Sequence, residues 1–125
     1  MKTIVIVTAM LLSGINSAQG AVAKVTGTIE RVLTDTRSYG GCMMLAPTIK
    51  PLSEYGLTCR NNYFTMDCMN ETGQPGGRAQ ANLNLQQAQL ALVTGNKVLI
   101  VVNDAITING NCYAGRIELY SQQPE

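Results

Sequence analysis

The chain has 125 residues, with nine Lys and Arg against eight Asp and Glu, a formal net charge of +1 and no histidine. Its length suits a single domain, and without Lys2 the charges balance at eight against eight. The basic residues are scattered, which argues against a polynucleotide partner, because such binding needs clustered positive charge.

The first residues read as a leader. Lys2 gives a positive start, Ile4 to Leu12 is an apolar run broken only by Thr8, and the small residues Ser17, Ala18 and Gly20 follow. This is the three-part pattern of a secretory signal peptide. The expected division is a leader over 1–20 and one domain over 21–125, with cleavage after Ala18 or Ala23 as alternatives. The apolar run is too short to cross about 30 Å of hydrocarbon, so no membrane span is expected. Export to the periplasm or the medium follows.

Val22 to Thr34 alternates well enough for a strand, with Val25 and Ile29 on one face and a bulge or strand end expected at Val32-Leu33. Asp35 to Gly41 is a turn region, Cys42 to Ala46 a short apolar strand, and Pro47 to Leu57 a loop with two prolines. Asn62 to Met69 reads as a third strand and Asn70 to Gly77 as another loop.

A helix is expected to start between Arg78 and Asn82 and to stop at Gly95, a residue that tolerates the positive φ after a helix end. Ala81, Leu85, Ala88 and Leu92 form one apolar stripe, and Ala79, Leu83 and Leu90 lie roughly opposite. Uncharged Asn and Gln fill the space between. The second stripe is covered either by loops of the same chain or by neighbouring subunits. Val98 to Val102 is continuously apolar, which predicts burial on both faces. Asn109-Gly110 then supplies a two-residue turn joining Val98–Ile108 to Asn111–Ser121, two arms of matching length. Three strands, a helix and a closing hairpin predict a mostly β domain, a small barrel like the oligonucleotide/oligosaccharide-binding fold, with the helix ahead of the C-terminal hairpin.

The four cysteines, Cys42, Cys59, Cys68 and Cys112, are an even count in an exported small domain and predict two disulfides. A metal site is the rival, but there is no CxxC pair and no histidine. If Cys42–Ala46 and Asn62–Met69 pair antiparallel, Cys42 comes beside Cys68. Cys59 and Cys68 would then be about 30 Å apart along an extended segment, too far to bridge. The expected pairs are therefore Cys42–Cys68 and, by elimination, Cys59–Cys112.

Without histidine there is no Ser-His-Asp or Cys-His pair and no imidazole base. A paired-carboxylate hydrolase would have to use Asp67, Glu71 and Asp104, which read more simply as loop and turn carboxylates. Asn70-Glu71-Thr72 matches a glycosylation acceptor, a triplet common by chance. No active site, no metal and no cofactor are expected.

The order of elements, with the helix ending in Leu90-Ala91-Leu92-Val93-Thr94-Gly95-Asn96-Lys97-Val98 and a closing Arg116-Ile117-Glu118-Leu119, resembles the pentameric B subunits of bacterial A–B toxins. The likeness is to the pertussis-like and subtilase-like branch, where a helix also leads through Thr-Gly-x-x-Val into an apolar strand. The Gly40-Gly41-Cys42-Met43 segment and the Asn109–Cys112 turn followed by Arg116-Ile117 are also similar to uncharacterised exported proteins of Gram-negative bacteria. The resemblance implies a non-catalytic subunit in a ring, probing host glycans and paired with an enzymatic A subunit. It carries over no glycan-contact residue. Tryptophan is absent, so Tyr39, Tyr55, Tyr113 and Tyr120 would have to serve a sugar site. The expected sugar contacts are Arg37, Ser38, Tyr39, Asn103 and Asp104. The alternative expectation is a monomeric periplasmic or secreted protein that inhibits or scaffolds another protein.

Overall fold

The computed structural model describes residues 20–36 and 38–121. Residues 1–19 of the expected leader, and Arg37, lie outside the described residues. Among the described residues no helix is long and apolar enough to cross a membrane.

Six strands form one sheet: β1 (Val22–Thr28), β2 (Arg31–Thr34), β3 (Cys42–Leu45), β4 (Tyr63–Thr65), β5 (Lys97–Ile108) and β6 (Asn111–Leu119). One α-helix is present among the described residues, α1 (Gly77–Thr94), and it stands between β4 and β5. This is the expected mostly β domain with its helix ahead of the C-terminal hairpin. The spatial order is β1-β5-β6-β4-β3-β2, and the ladder is open between β1 and β2. Neighbours are antiparallel except β4 and β6, which run parallel where Thr65 meets Tyr113. Parallel neighbours need a long crossover, here supplied by α1 and β5.

Several boundaries move. The expected strand Val22–Thr34 breaks at Ile29-Glu30 rather than at Val32-Leu33, because its halves serve different partners: β1 pairs with β5, and β2 with β3. At the break the Glu30 N–H donates to the Leu45 carbonyl at 2.9 Å. The expected strand Asn62–Met69 contracts to β4 because Asp67 takes a left-handed conformation (φ 58°), its N–H bound to Thr65 Oγ1 at 3.1 Å. A 3-10 turn over Leu52–Tyr55 interrupts the loop expected from Pro47 to Leu57. The helix begins at Gly77, ahead of the expected start, and ends at Gly95 (φ 70°), whose N–H returns to the Ala91 carbonyl at 2.8 Å.

The hairpin turn is as expected, with φ positive at both Asn109 (53°) and Gly110 (80°). Its arms are unequal, 12 residues against nine: the excess in β5 is absorbed between Asn103 and Thr107, while the register shift at Val101/Val102 leaves Gly115 as an extra residue in β6. Val98, Ile100 and Val102 are fully buried, whereas Leu99 and Val101 are only half-buried, so the expected burial on both faces is corrected. Leu99 is flanked by Thr26 and Glu118, and Val101 by Lys24 and Arg116. The stems of such long side chains cover apolar surface while their charges stay in water, so a continuous apolar run did not require a second core.

The core gathers Val25, Met44, Phe64, Met66, Val98, Ile100, Val102 and Ala114 against Ala88 and Ala91 of α1. Full burial of a side chain such as Phe64 or Ile100 contributes roughly 1.5–3 kcal/mol. The buried face of α1 is Ala81, Asn84, Ala88 and Ala91, so only half of the expected stripe is buried: Ala81 and Ala88 are, whereas Leu85 is half-buried and Leu92 exposed. Small residues let the helix approach the sheet closely, and Asn84 is kept among them by two hydrogen bonds. Its Nδ2 donates to the Gly115 carbonyl at 3.1 Å, and its Oδ1 accepts from Gln80 Nε2 at 3.2 Å. On the outer side Leu83 and Leu90 are 56 % and 49 % exposed and Val93 85 %, so no loop among the described residues covers the second stripe.

The outer edge of β1 is crossed by the segment at Pro47–Ile49. Gly27 bridges Thr48, and the Ile49 N–H donates to the Thr26 carbonyl at 3.3 Å. Any side chain at position 27 would start 2.3 Å from the Pro47 carbonyl oxygen, which is why this strand residue is glycine.

Candidate binding groove

Side-chain alternation on β4 fixes the character of the site. Phe64 is fully buried, so its neighbour Tyr63 points to the other face of the sheet. There it joins Leu33 of β2, Met43 of β3 (the direct cross-strand partner of Leu33), Arg60 and Asn61 before β4, Asn111 at the start of β6, and Tyr39. These seven residues line a groove of about 320 Å³, within the range of small-ligand sites, about 300–1,000 Å³.

Both expected disulfides are present, and each ends beside a groove residue. Cys42–Cys68 and Cys59–Cys112 both have Cα atoms 5.5 Å apart. Cys42 precedes Met43, Cys59 precedes Arg60, and Cys112 follows Asn111. The second bridge ties the segment before β4 to the hairpin, where the Arg60 N–H donates to the Gly110 carbonyl at 3.3 Å. The Arg60 stem lies along Gly110, since a Cβ there would sit 3.3 Å from Arg60 Cδ. Its guanidinium makes no hydrogen bond or ion pair among the described residues. Asn61 Oδ1 accepts from the Tyr63 N–H at 2.9 Å, and the Tyr63 hydroxyl accepts from Arg31 Nη1 at 3.3 Å. Asn111 Nδ2 donates to the Ile108 carbonyl at 3.3 Å. The result is a concave patch with two aromatic rings and a fork of unpaired N–H donors.

The chain matches no protein-family model, no curated protein and no solved structure. Geometry alone therefore carries the reading of this groove.

Of the expected contacts, Tyr39 lines the groove and Ser38 is the half-buried residue before it. Asn103 and Asp104 do not line it. They lie where β5 meets the start of β1, Asn103 opposite Val22, and the Asp104 N–H bound to the Ala21 carbonyl at 3.0 Å. Their side chains hold backbone in place. Asn103 Oδ1 accepts from the Ala105 N–H at 2.9 Å, and Asp104 Oδ2 accepts from the Thr58 N–H and hydroxyl, both at 3.1 Å. Tyr63, Arg60, Asn61 and Asn111 were not expected at the site. The adjacency of Tyr63 to an apolar Phe64 in a strand was the available signal for the first. Nothing local marks the others, which are gathered by the disulfide and the sheet.

The remaining candidates are occupied elsewhere. Asp67 is buried, its carboxylate accepting from the N–H groups of Glu71 (2.8 Å) and Thr72 (2.9 Å) and from the Thr72 hydroxyl. It organises the loop after β4 as a backbone-binding carboxylate. Burial raises the Tyr113 phenol above its ordinary pKa, and the negative charge of Asp67 adds to the rise. Tyr55 carries the Lys50 ammonium 4.3 Å from its ring centroid.

Proposed function

We propose that this protein is an exported, non-catalytic binding module that recognises glycans through the Tyr39–Tyr63 groove and self-associates through α1. The groove is the observation that carries this reading. Tyrosine presents an apolar face with a polar tip, which suits the mixed surface of a sugar ring. The unpaired Arg60 guanidinium offers donors in a planar fork for hydroxyl or acidic groups. A barrel of the oligonucleotide/oligosaccharide-binding kind is supported by the sheet order. β1 and β2 are separated only by Ile29 and Glu30, so they act as one bent strand whose halves pair with β5 and β3 at opposite ends of the ladder. In that kind of barrel the ligand face is built on the second and third strands, here β3 and β4, which carry Met43 and Tyr63.

Self-association is supported by the exposed Leu83, Leu90 and Val93 on a helix with no charged side chain after Arg78. Two disulfides are compatible with export. Together with the sequence resemblance, these features favour a ring-forming B subunit that would pair with a toxin A subunit.

Two measurements on the purified protein test the proposal. Light scattering under non-reducing conditions is expected to give the mass of a multimer, near five subunits for the toxin-like ring. A glycan array is expected to give hits that Tyr63→Ala and Arg60→Ala each weaken by tenfold or more. A monomer with an empty array would refute the reading. In that case a heterologous protein on the α1 face, as for a periplasmic inhibitor or scaffold, takes its place.

A further inference from the structure

Tyr39 stands in a left-handed conformation, φ 60°, followed by Gly40 at 72° and Gly41 at 93°. Glycine enters this region freely, but a bulky aromatic residue is a rare occupant because its Cβ crowds the following carbonyl. The turn is nonetheless clamped from several sides. The Gly40 carbonyl accepts from the Met69 N–H at 2.7 Å and the Gly41 carbonyl from the Asp35 N–H at 3.0 Å. Gly40 is itself buried, with room for no side chain: a Cβ would start 2.7 Å from Ile108 Cδ1 and 2.9 Å from Asp67 Oδ1.

The remaining clamp acts on Tyr39 itself. Thr65, fully buried on β4, donates its hydroxyl hydrogen to the Tyr39 carbonyl, with the Cys42 carbonyl 3.2 Å away as a second acceptor. The same oxygen accepts the Asp67 N–H at 3.1 Å. One hydroxyl thus ties the tyrosine turn, the start of β3 and the Asp67 loop together beneath the groove. The Tyr39 hydroxyl has no partner among the described residues.

We propose that Thr65 is a positioning residue: from the interior it holds Tyr39 in this strained conformation so that the ring is presented, preorganised, to the groove's ligand. The proposal rests on the groove being a binding site. A glycine at 39 would satisfy the backbone without strain, so the presence of tyrosine there points to a use for its side chain. Strain that the surroundings over-determine is the expected form of such preorganisation, because a ring already in place loses less freedom on binding.

The experiment separates the conformational claim from the ligand claim. The protein is produced with 3-fluorotyrosine, and the Tyr39 fluorine resonance is assigned with Tyr39→Phe. Thr65→Val, close in shape and lacking the hydroxyl, is expected to shift or broaden that resonance in the absence of any glycan, while Thr65→Ser restores it. On the glycan array, Thr65→Val is expected to weaken the wild-type hits by about tenfold, and Thr65→Ser to keep them. An unmoved Tyr39 resonance in Thr65→Val overturns the positioning role even where the wild type binds glycans. A moved and rescued resonance with an array empty for the wild type keeps the positioning role and removes the glycan reading instead. Should Thr65→Val fail to fold, Tyr39→Gly and Tyr39→Ala decide. Both lack the ring, and only glycine relieves the backbone, so Tyr39→Gly should melt about 4–8 °C above Tyr39→Ala. Equal melting temperatures would refute the strain on which the proposal stands.

Discussion

Replacing both cysteines of the Cys59–Cys112 bridge by alanine tests how the groove is held together. The bridge closes a span of 53 residues and the Cys42–Cys68 bridge one of 26. In the chain-entropy description, spans of this size restrict the unfolded chain by about 4.2 and about 3.5 kcal/mol respectively. The difference is about 0.6 kcal/mol, since loop-closure entropy grows only with the logarithm of length. Either loss is a large part of the roughly 5–15 kcal/mol of a typical domain. The two double variants should therefore be almost equally destabilised in urea melts, each with an unchanged denaturant slope in the folded-to-unfolded transition relative to the other. They should differ in the groove. Loss of Cys59–Cys112 frees the segment carrying Arg60 and Asn61 from Asn111, whereas loss of Cys42–Cys68 leaves that seam intact. Tyr63 fluorine resonances and amide exchange at Asn61 to Tyr63 would report this. A loss below about 1 kcal/mol for Cys59→Ala/Cys112→Ala would refute the chain-entropy reasoning. Unchanged exchange at Asn61 to Tyr63 would refute the claim that this bridge shapes the groove.

Three further outcomes are expected. Asn84→Ala strips the Gly115 carbonyl and Gln80 of a buried partner, and should cost about 1–3 kcal/mol in urea melts; a neutral result would mean that water replaces the amide. Gly27→Ala drives a methyl group into the Pro47 carbonyl, and should cost at least about 1–3 kcal/mol while exposing the Thr26–Ile49 hydrogen bond to exchange; full protection at Ile49 would contradict this. For Tyr113 burial, with the Asp67 charge beside it, raises the folded pKa above the ordinary phenol value of about 10, so the folded state holds its proton longer. Its contribution is complete below that value and is lost as pH rises through the folded pKa. Stability above pH 10 should therefore fall less steeply in Tyr113→Phe than in the wild type, and parallel alkaline limbs would refute the assignment.

Much of the fold is legible in the residues themselves wherever the deciding interaction is local. Asn109-Gly110 dictates its turn because both residues accept positive φ, and Gly95 ends α1 for the same reason. The cysteine pairs follow from one antiparallel pairing and the reach of an extended chain. Local pattern misleads where distant partners compete. The stripe Ala81, Leu85, Ala88 and Leu92 suggested the buried face of α1; Ala81 and Ala88 are buried, yet the close approach to β6 selected Ala91 and a hydrogen-bonded Asn84 beside them and left Leu85 half-buried and Leu92 exposed. One strand was expected from Val22 to Thr34, but its two halves answer to β5 and β3.

The groove lies at the far end of that scale. Period-two alternation could have placed Tyr63 opposite Phe64, but its companions Arg60 and Asn111 come together only when a disulfide and the hairpin bring two remote segments side by side. The left-handed Tyr39 is the extreme case. Its own preferences oppose that conformation, and Thr65, Met69 and the space denied to Gly40 impose it. Short-range steric preferences are written residue by residue along a chain, whereas a binding surface is a sum over contacts between segments, and those contacts exist only once the sheet has formed.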